Sequence, residues 1–171
     1  PSMGKTALVT NIAFNAAKAR VRSLAEKPDL APDDPKHDGA VVAFFSLEMS
    51  SEQLATRIIA EQSGISSERI RRGKISTEEF DRLVEVSREL QSLPLYIDAT
   101  GGLTIAQLAA RARRLKRQRG LGLLVVDYLQ LLTGNKRTGE GRVQEVTEIT
   151  TGLKALAKEL AVPIIALSQL S

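Results

Sequence analysis

Gly4, Lys5 and Thr6 form a triplet that can bind phosphate, and a helical pattern follows it directly. The triplet fits the second half of a phosphate-binding loop, G-x-x-x-x-G-K-S/T. There, glycine lets backbone N–H groups approach the phosphates, the lysine ammonium binds the outer phosphates, and the threonine hydroxyl can hold Mg²⁺. A triplet alone also fits an ordinary helix start. The nucleotide contacts predicted from this stretch are Ser2, Met3, Gly4, Lys5, Thr6 and Ala7.

Glu48, Asp127 and Gln169 each follow closely on a short apolar run. Asp127 fits the acid that binds Mg²⁺ directly or through its water shell in nucleotide hydrolases. Glu48 is suited to take a proton from an attacking water or to orient it. The Gln169 amide can donate to a terminal phosphate and accept elsewhere. The alternative for each residue is a polar strand end exposed to water.

The elements that must position these residues are short strands separated by helices. The predicted strands are residues 40–45, 94–98, 121–126 and 163–167. Capping signals at Ser50, Ser76 and Thr104 start three helices, and two more are predicted over 5–22 and 143–160. Crossovers of this length require a mostly parallel sheet. We therefore predict an α/β fold, a mostly parallel central sheet with helices on both faces. Ligands of such sheets bind beyond the carboxyl ends of the strands, where the polar residues would converge.

Composition limits the class of protein. The chain has 171 residues, which suits one domain, and its net charge of +4 permits nucleic acid as a partner. It has no cysteine, which excludes disulfides and thiolate metal sites. No apolar run reaches the ~18 residues of a membrane span, and no signal peptide opens the chain. We expect a cytoplasmic protein with no membrane partner.

Two polar segments receive structural interpretations. Residues 26–39 are rich in proline and aspartate, and we predict a mobile surface insertion with His37 as a solvated loop residue. The basic residues of 111–119 are interpreted as a solvated helix face rather than as a nucleic-acid patch or subunit contact. Asp98 is interpreted as structural, and Tyr128 as a packing residue.

Four segments together give the chain a family resemblance: residues 1–8 (PSMGKTAL), 45–50 (FSLEMS), 124–131 (LVVDYLQL) and 163–170 (PIIALSQL). In this order they resemble the motor domain of the bacterial replicative DNA helicases of the DnaB type. The resemblance implies a RecA-like P-loop ATPase core over residues 1–171. It implies a homohexameric ring that encircles single-stranded DNA, moves 5′ to 3′ and unwinds duplex at replication forks in the nucleoid. Primase and a helicase loader are implied partners.

The resemblance also implies roles for individual residues. Lys5 and Thr6 would bind ATP and Mg²⁺, Glu48 would be the catalytic carboxylate, Asp127 the acid on the Mg²⁺ side, and Gln169 the link between phosphate and DNA. The loop from Thr133 to Arg142 matches the first DNA-binding loop, where the basic residues are Lys136, Arg137 and Arg142. The arginine finger and second DNA loop would lie beyond Ser171, and an amino-terminal domain before Pro1. We therefore expect the isolated fragment to hydrolyse ATP weakly or not at all.

Two alternatives to a helicase motor remain open from the residues alone. A RecA-like recombinase or regulatory ATPase would use the same core without unwinding. A nucleotide-binding assembly module would bind ATP without turning it over. Binding of single-stranded DNA by residues 133–142 is expected only where the protein acts on DNA, so it tests the first alternative. A catalytic role for Glu48 would distinguish an ATPase from the second alternative, a module that only binds nucleotide.

Overall fold

The computed structural model describes residues 3–134 and 141–169, with Met3 as backbone only. The described residues form helices and strands in alternation, as the crossover pattern predicts. The elements are α1 (Met3–Glu26), β1 (Val42–Ser46), α2 (Ser51–Ser63), α3 (Ser67–Arg72), α4 (Thr77–Ser92), β2 (Leu95–Asp98), α5 (Ile105–Arg119), β3 (Leu123–Asp127), a 3-10 helix (Leu129–Leu131), α6 (Arg142–Leu160) and β4 (Ile164–Ala166).

The four strands form one parallel sheet in the order β2-β1-β3-β4. In the register of β1 with β3, Ser46 pairs with Asp127, so these strands end at the same level. The predicted α/β fold with a parallel central sheet is confirmed. Strand β1 begins at Val42 rather than at residue 40, and β3 begins at Leu123 rather than at residue 121.

Helices cover both faces of the sheet, as predicted. Successive side chains of a strand point to opposite faces, and those of β1 divide accordingly. Val42 and Phe44 are fully buried against residues of α1 and α2. Ala43 and Phe45 pack in a second core with residues of α5 and α6. Strands buried on both sides explain why the sequence of β1 and β3 is continuously apolar rather than alternating.

The local helix signals are confirmed. Ser50, Ser76 and Thr104 each accept a backbone N–H in a complete capping box, and Gly64 ends α2 with a φ of 75°. Helix α1 begins at Met3 rather than at Lys5 and ends at Glu26 rather than at Arg22. The six-residue helix α3 was not predicted, because none of its residues is buried and it has no apolar stripe.

Residues 26–39 contact α1, and this contact overturns the prediction for His37. The imidazole is buried, with 6% of its surface exposed, and its Nδ1 lies 2.9 Å from the Ser23 hydroxyl. The Ala40 N–H donates to the Ala16 carbonyl at 3.0 Å. The prediction of a solvated His37 is therefore wrong, because polar composition does not reveal that the segment turns back on the helix before it. Mobility of residues 26–39 stays a prediction.

In the part of the chain that the structure describes, no helix combines the length and the apolar character needed to cross a bilayer.

Candidate nucleotide site

The amino-terminal turns of α1 meet the carboxyl ends of β1, β3 and β4 at one edge of the sheet. A narrow cleft lies at this meeting point. Its lining includes the predicted residues Lys5, Thr6, Glu48, Asp127 and Gln169, together with Tyr128, Leu167 and Ser168. A larger groove of about 780 Å³ lies along α2 and α3 but includes none of the predicted site residues. The smaller cleft is therefore the candidate site.

Thr6 and Asp127 are in direct contact at the base of the cleft. The Thr6 hydroxyl donates to Asp127 Oδ2 at 3.1 Å, and the two residues are 121 positions apart in the chain. Both are buried, with 6% and 4% of their surface exposed. A hydroxyl and a carboxylate side by side are oxygen ligands of the kind that Mg²⁺ prefers. The geometry thus fits a magnesium site at this edge.

Asp127 sits in an environment that disfavours its charge. Burial raises the pKa of its carboxyl, although the hydrogen bond from Thr6 opposes the rise, and the negative charge of Glu48 raises the pKa further. The positive charge of Arg57 acts in the opposite direction. A nearby cation stabilises the ionised form of a carboxylate, and the effect is large for a carboxylate that is buried and next to a second acid.

Lys5 lies across the cleft mouth from the end of β4. Its ammonium donates to the Ser168 carbonyl at 2.8 Å. An ammonium carries three N–H donors, and this bond uses one of them. Gly4 precedes Lys5, and a Cβ built there would meet nothing within 4 Å. The described chain itself therefore does not demand glycine at this position, whereas a phosphate approaching the backbone would.

Glu48 and Gln169 lie on the open side of the cleft. Glu48 is exposed and follows β1 by two residues, and its charge acts on Asp127. Gln169 is exposed, and both its backbone N–H and its carbonyl bond to the Gln130 side chain. A solvated carboxylate near a phosphate site can receive a proton from water.

Other predicted residues are placed less directly. Ala7 lies in α1, where its carbonyl accepts from Asn11. Ser2, Lys136 and Arg137 lie outside the described residues. Arg142 is the first residue of α6 rather than part of a loop, and its guanidinium donates to Glu145 and to the Gln130 carbonyl.

A partly buried polar network beside the cleft was not predicted. Thr10 is fully buried, and its hydroxyl donates to Glu61 Oε2 at 2.8 Å. Glu61 also accepts from Arg57 at 3.4 Å. The spacing of Arg57 and Glu61 on α2 is visible in the sequence as an i, i+4 pair. Their link to Thr10 is not visible, because it depends on how α1 packs against α2.

Two residues on the basic face of α5 pair with acids of the same chain. Arg111 donates to Asp98 at 2.7 Å and Arg113 to Glu159 at 2.6 Å. Burial opposes ionisation of Asp98, but the hydrogen bonds from Arg111 and Thr100 outweigh it and lower the pKa of that carboxyl. The pair with Arg111 fits the structural interpretation of Asp98. The interpretation of residues 111–119 as a solvated helix face stays a prediction.

Comparison with known proteins gives the cleft a family context. The family described as DnaB-like helicase C terminal domain matches residues 1–171. Replicative DNA helicase DnaB of Rickettsia typhi is 45% identical over 100% of this chain, which spans 33% of that protein. The protein of the same name from Geobacillus stearothermophilus is 42% identical, and the chain spans 34% of it. The chain thus covers about a third of the length of these relatives.

Solved structures share the fold. A DnaB-like replicative helicase, described with its interactions with primase, aligns over 100% of this chain and 37% of its own, with a TM-score of 0.76 and 30% identity. A second solved structure, an ATPase domain, aligns over 100% of this chain and 55% of its own, with a TM-score of 0.78 and 29% identity.

Proposed function

The chain belongs to the family of DnaB-like helicase C-terminal domains, and from this premise we propose that it is the ATP-hydrolysing motor of a replicative DNA helicase. The observation that carries the proposal is the buried contact between Thr6 and Asp127 at 3.1 Å, in a cleft that Lys5 and Glu48 also line. A lysine for phosphate, two ligands for magnesium and a carboxylate to orient and deprotonate water are the parts that nucleotide hydrolysis requires.

Each side chain has a distinct proposed task. Lys5 binds the outer phosphates of ATP, and Thr6 and Asp127 hold Mg²⁺. Mg²⁺ held by these two side chains would supply positive charge against the phosphates during transfer. Glu48 orients the attacking water and receives its proton, a role that its exposed position beside the cleft supports. Gln169 contacts the terminal phosphate from the end of β4.

The proposed second ligand is single-stranded DNA. Arg142 at the start of α6, together with Lys136 and Arg137, would contact backbone phosphates without reading sequence. The family resemblance supports a homohexamer that moves 5′ to 3′ on this strand, and it supports a place at replication forks. The solved relative described with primase supports primase as a partner, and a helicase loader is proposed from the family resemblance alone.

The proposal is tested with the complete gene product, ATP and forked DNA duplexes. We expect ATP-dependent unwinding of forks that carry a 5′ single-stranded tail, and none of forks that carry only a 3′ tail. Lys5→Ala should abolish turnover and unwinding, whereas Lys74→Ala, at an exposed position after α3, should change neither. ATP turnover without unwinding would favour a recombinase or regulatory ATPase. Normal turnover in Lys5→Ala would refute the nucleotide site.

A further inference from the structure

Gln130 connects two segments that the chain separates widely. It lies in the 3-10 helix that follows β3. Its Nε2 donates to the Ser168 hydroxyl at 2.7 Å and to the Gln169 carbonyl at 2.8 Å. Its Oε1 accepts from the Gln169 N–H at 3.3 Å. One planar amide therefore holds both residues that follow β4, through donors and an acceptor at once.

Ser168 and Gln130 each make a further contact, one in the cleft and one at the start of α6. On one side, Ser168 offers its carbonyl to Lys5 at 2.8 Å, so a phosphate held by Lys5 would be one hydrogen bond away from Ser168. On the other side, the backbone carbonyl of Gln130 accepts from the Arg142 guanidinium at the start of α6. Arg142 also donates to Glu145 on the same helix.

We infer that Gln130 is a positioning residue that couples the nucleotide cleft to the amino-terminal end of α6, and this inference rests on the proposed function. When Lys5 binds phosphate, the Ser168 carbonyl that accepts from Lys5 shifts. This shift moves Ser168 and Gln169, the two residues to which the Gln130 amide is bonded. Because the amide and the backbone carbonyl belong to one residue in a tight 3-10 turn, the acceptor of Arg142 shifts with them. Gln130 itself does not line the cleft.

Glutamine is the side chain that this arrangement requires. The amide nitrogen donates to two acceptors, and the amide oxygen accepts from an N–H. Glutamate at this position would keep the acceptor for the Gln169 N–H and could accept from the Ser168 hydroxyl. It would have no donor for the Gln169 carbonyl and would place a negative charge against that oxygen. Methionine would keep the length of the side chain and lose every hydrogen bond.

The test measures how strongly single-stranded DNA stimulates ATP turnover in the complete gene product. Gln130→Met and Gln130→Glu are compared with wild type at saturating single-stranded DNA, so that a weaker affinity for DNA does not enter the ratio. Coupling free energies between sites typically correspond to factors of about 5–150, and we expect stimulation to fall at least fivefold. The DNA-free turnover and the KM for ATP should stay within about twofold, because the side chain lies outside the cleft. Gln118→Ala, at an exposed position on α5, is the control.

A second variant guards against a folding defect. Ser168→Ala removes a single acceptor of the Gln130 amide from an exposed side chain. Ser168→Ala should also lower the stimulation of ATP turnover by DNA. The double variant Ser168→Ala/Gln130→Met should lose less stimulation than the sum of the two single losses, because the two residues are in contact. Thermal unfolding of each variant is recorded alongside.

The outcomes separate the inference from the proposed function. Reduced stimulation with unchanged KM and DNA-free turnover supports the coupling role. Wild-type stimulation in both Gln130 variants would overturn it, as would a rise in KM that accounts for the whole effect. If the wild-type protein itself shows no stimulation by DNA, the proposed function fails before the role of Gln130 is at issue.

Discussion

Replacing Gly39 by alanine should weaken the attachment of residues 26–39 to α1. Gly39 has a φ of +70°, and a Cβ there would lie 2.3 Å from both the Ala16 carbonyl oxygen and the Arg20 backbone nitrogen. The left-handed conformation costs a residue with a Cβ about 1–2 kcal/mol. The contact also forces the chain away from α1 and breaks the 3.0 Å bond from Ala40 N–H to Ala16, which costs about 0.5–1.5 kcal/mol more.

We therefore expect Gly39→Ala to lower the free energy of unfolding by about 1.5–3.5 kcal/mol, measured by urea denaturation. Gly73→Ala is the matched control, because Gly73 has a φ of +68° but nothing within 4 Å of its built Cβ. It should show the conformational cost alone, about 1–2 kcal/mol. Hydrogen exchange of the Ala40 N–H should accelerate only in the Gly39 variant. Equal losses of stability in the two variants would refute the reasoning.

Three further predictions concern catalysis, DNA and acid stability. Glu48→Gln should lower ATP turnover about 10²–10⁴-fold with nucleotide affinity retained; turnover at the wild-type rate would show that Glu48 is not the catalytic base. Replacing Lys136, Arg137 and Arg142 by alanine should reduce the salt dependence of single-strand binding by about 2 in slope, and an unchanged slope in a salt titration would remove these residues from the DNA contact. Hydrogen bonds from Arg69 and from Ser76 lower the pKa of Glu79 to about 2 from 4.5. This carboxylate thus stabilises the fold above pH 4.5 and loses that effect as the pH falls towards 2. Glu79→Gln should lower stability at pH 7 and flatten its decline in acid; parallel pH profiles of Tm would contradict this.

The signals that predicted structure well are local ones. Ser50, Ser76 and Thr104 form capping boxes whose partners lie three residues further along the chain. Such contacts form within a single turn, so a short window of sequence contains all of their determinants. The buried strands were predicted for a similar reason, since continuous apolar runs bounded by helices can satisfy their backbone only inside a covered parallel sheet.

The cleft could be predicted only in part. That Lys5, Asp127 and Gln169 belong to one site follows from a general property of parallel sheets, whose carboxyl ends share an edge. Which atoms meet does not follow from it. The bond from Thr6 to Asp127 spans 121 residues, and it depends on the angle at which α1 crosses the sheet.

Burial of His37 and the contacts of Gln130 belong to the tertiary structure alone. His37 stands in a polar segment, and its burial depends on the turn that returns the chain to α1 at Ala16. Gln130 bonds to Ser168 and Gln169, which are 38 and 39 positions further along the chain. These contacts depend on the order of the strands, which no local pattern encodes. The sequence by itself thus determined the longer helices, the strands and the residue types at the sheet edge, because those depend on short-range hydrogen bonds and hydrophobic periodicity. Only the packing of helices on a twisted sheet decided which of those residues touch, because long-range contacts depend on the whole core at once.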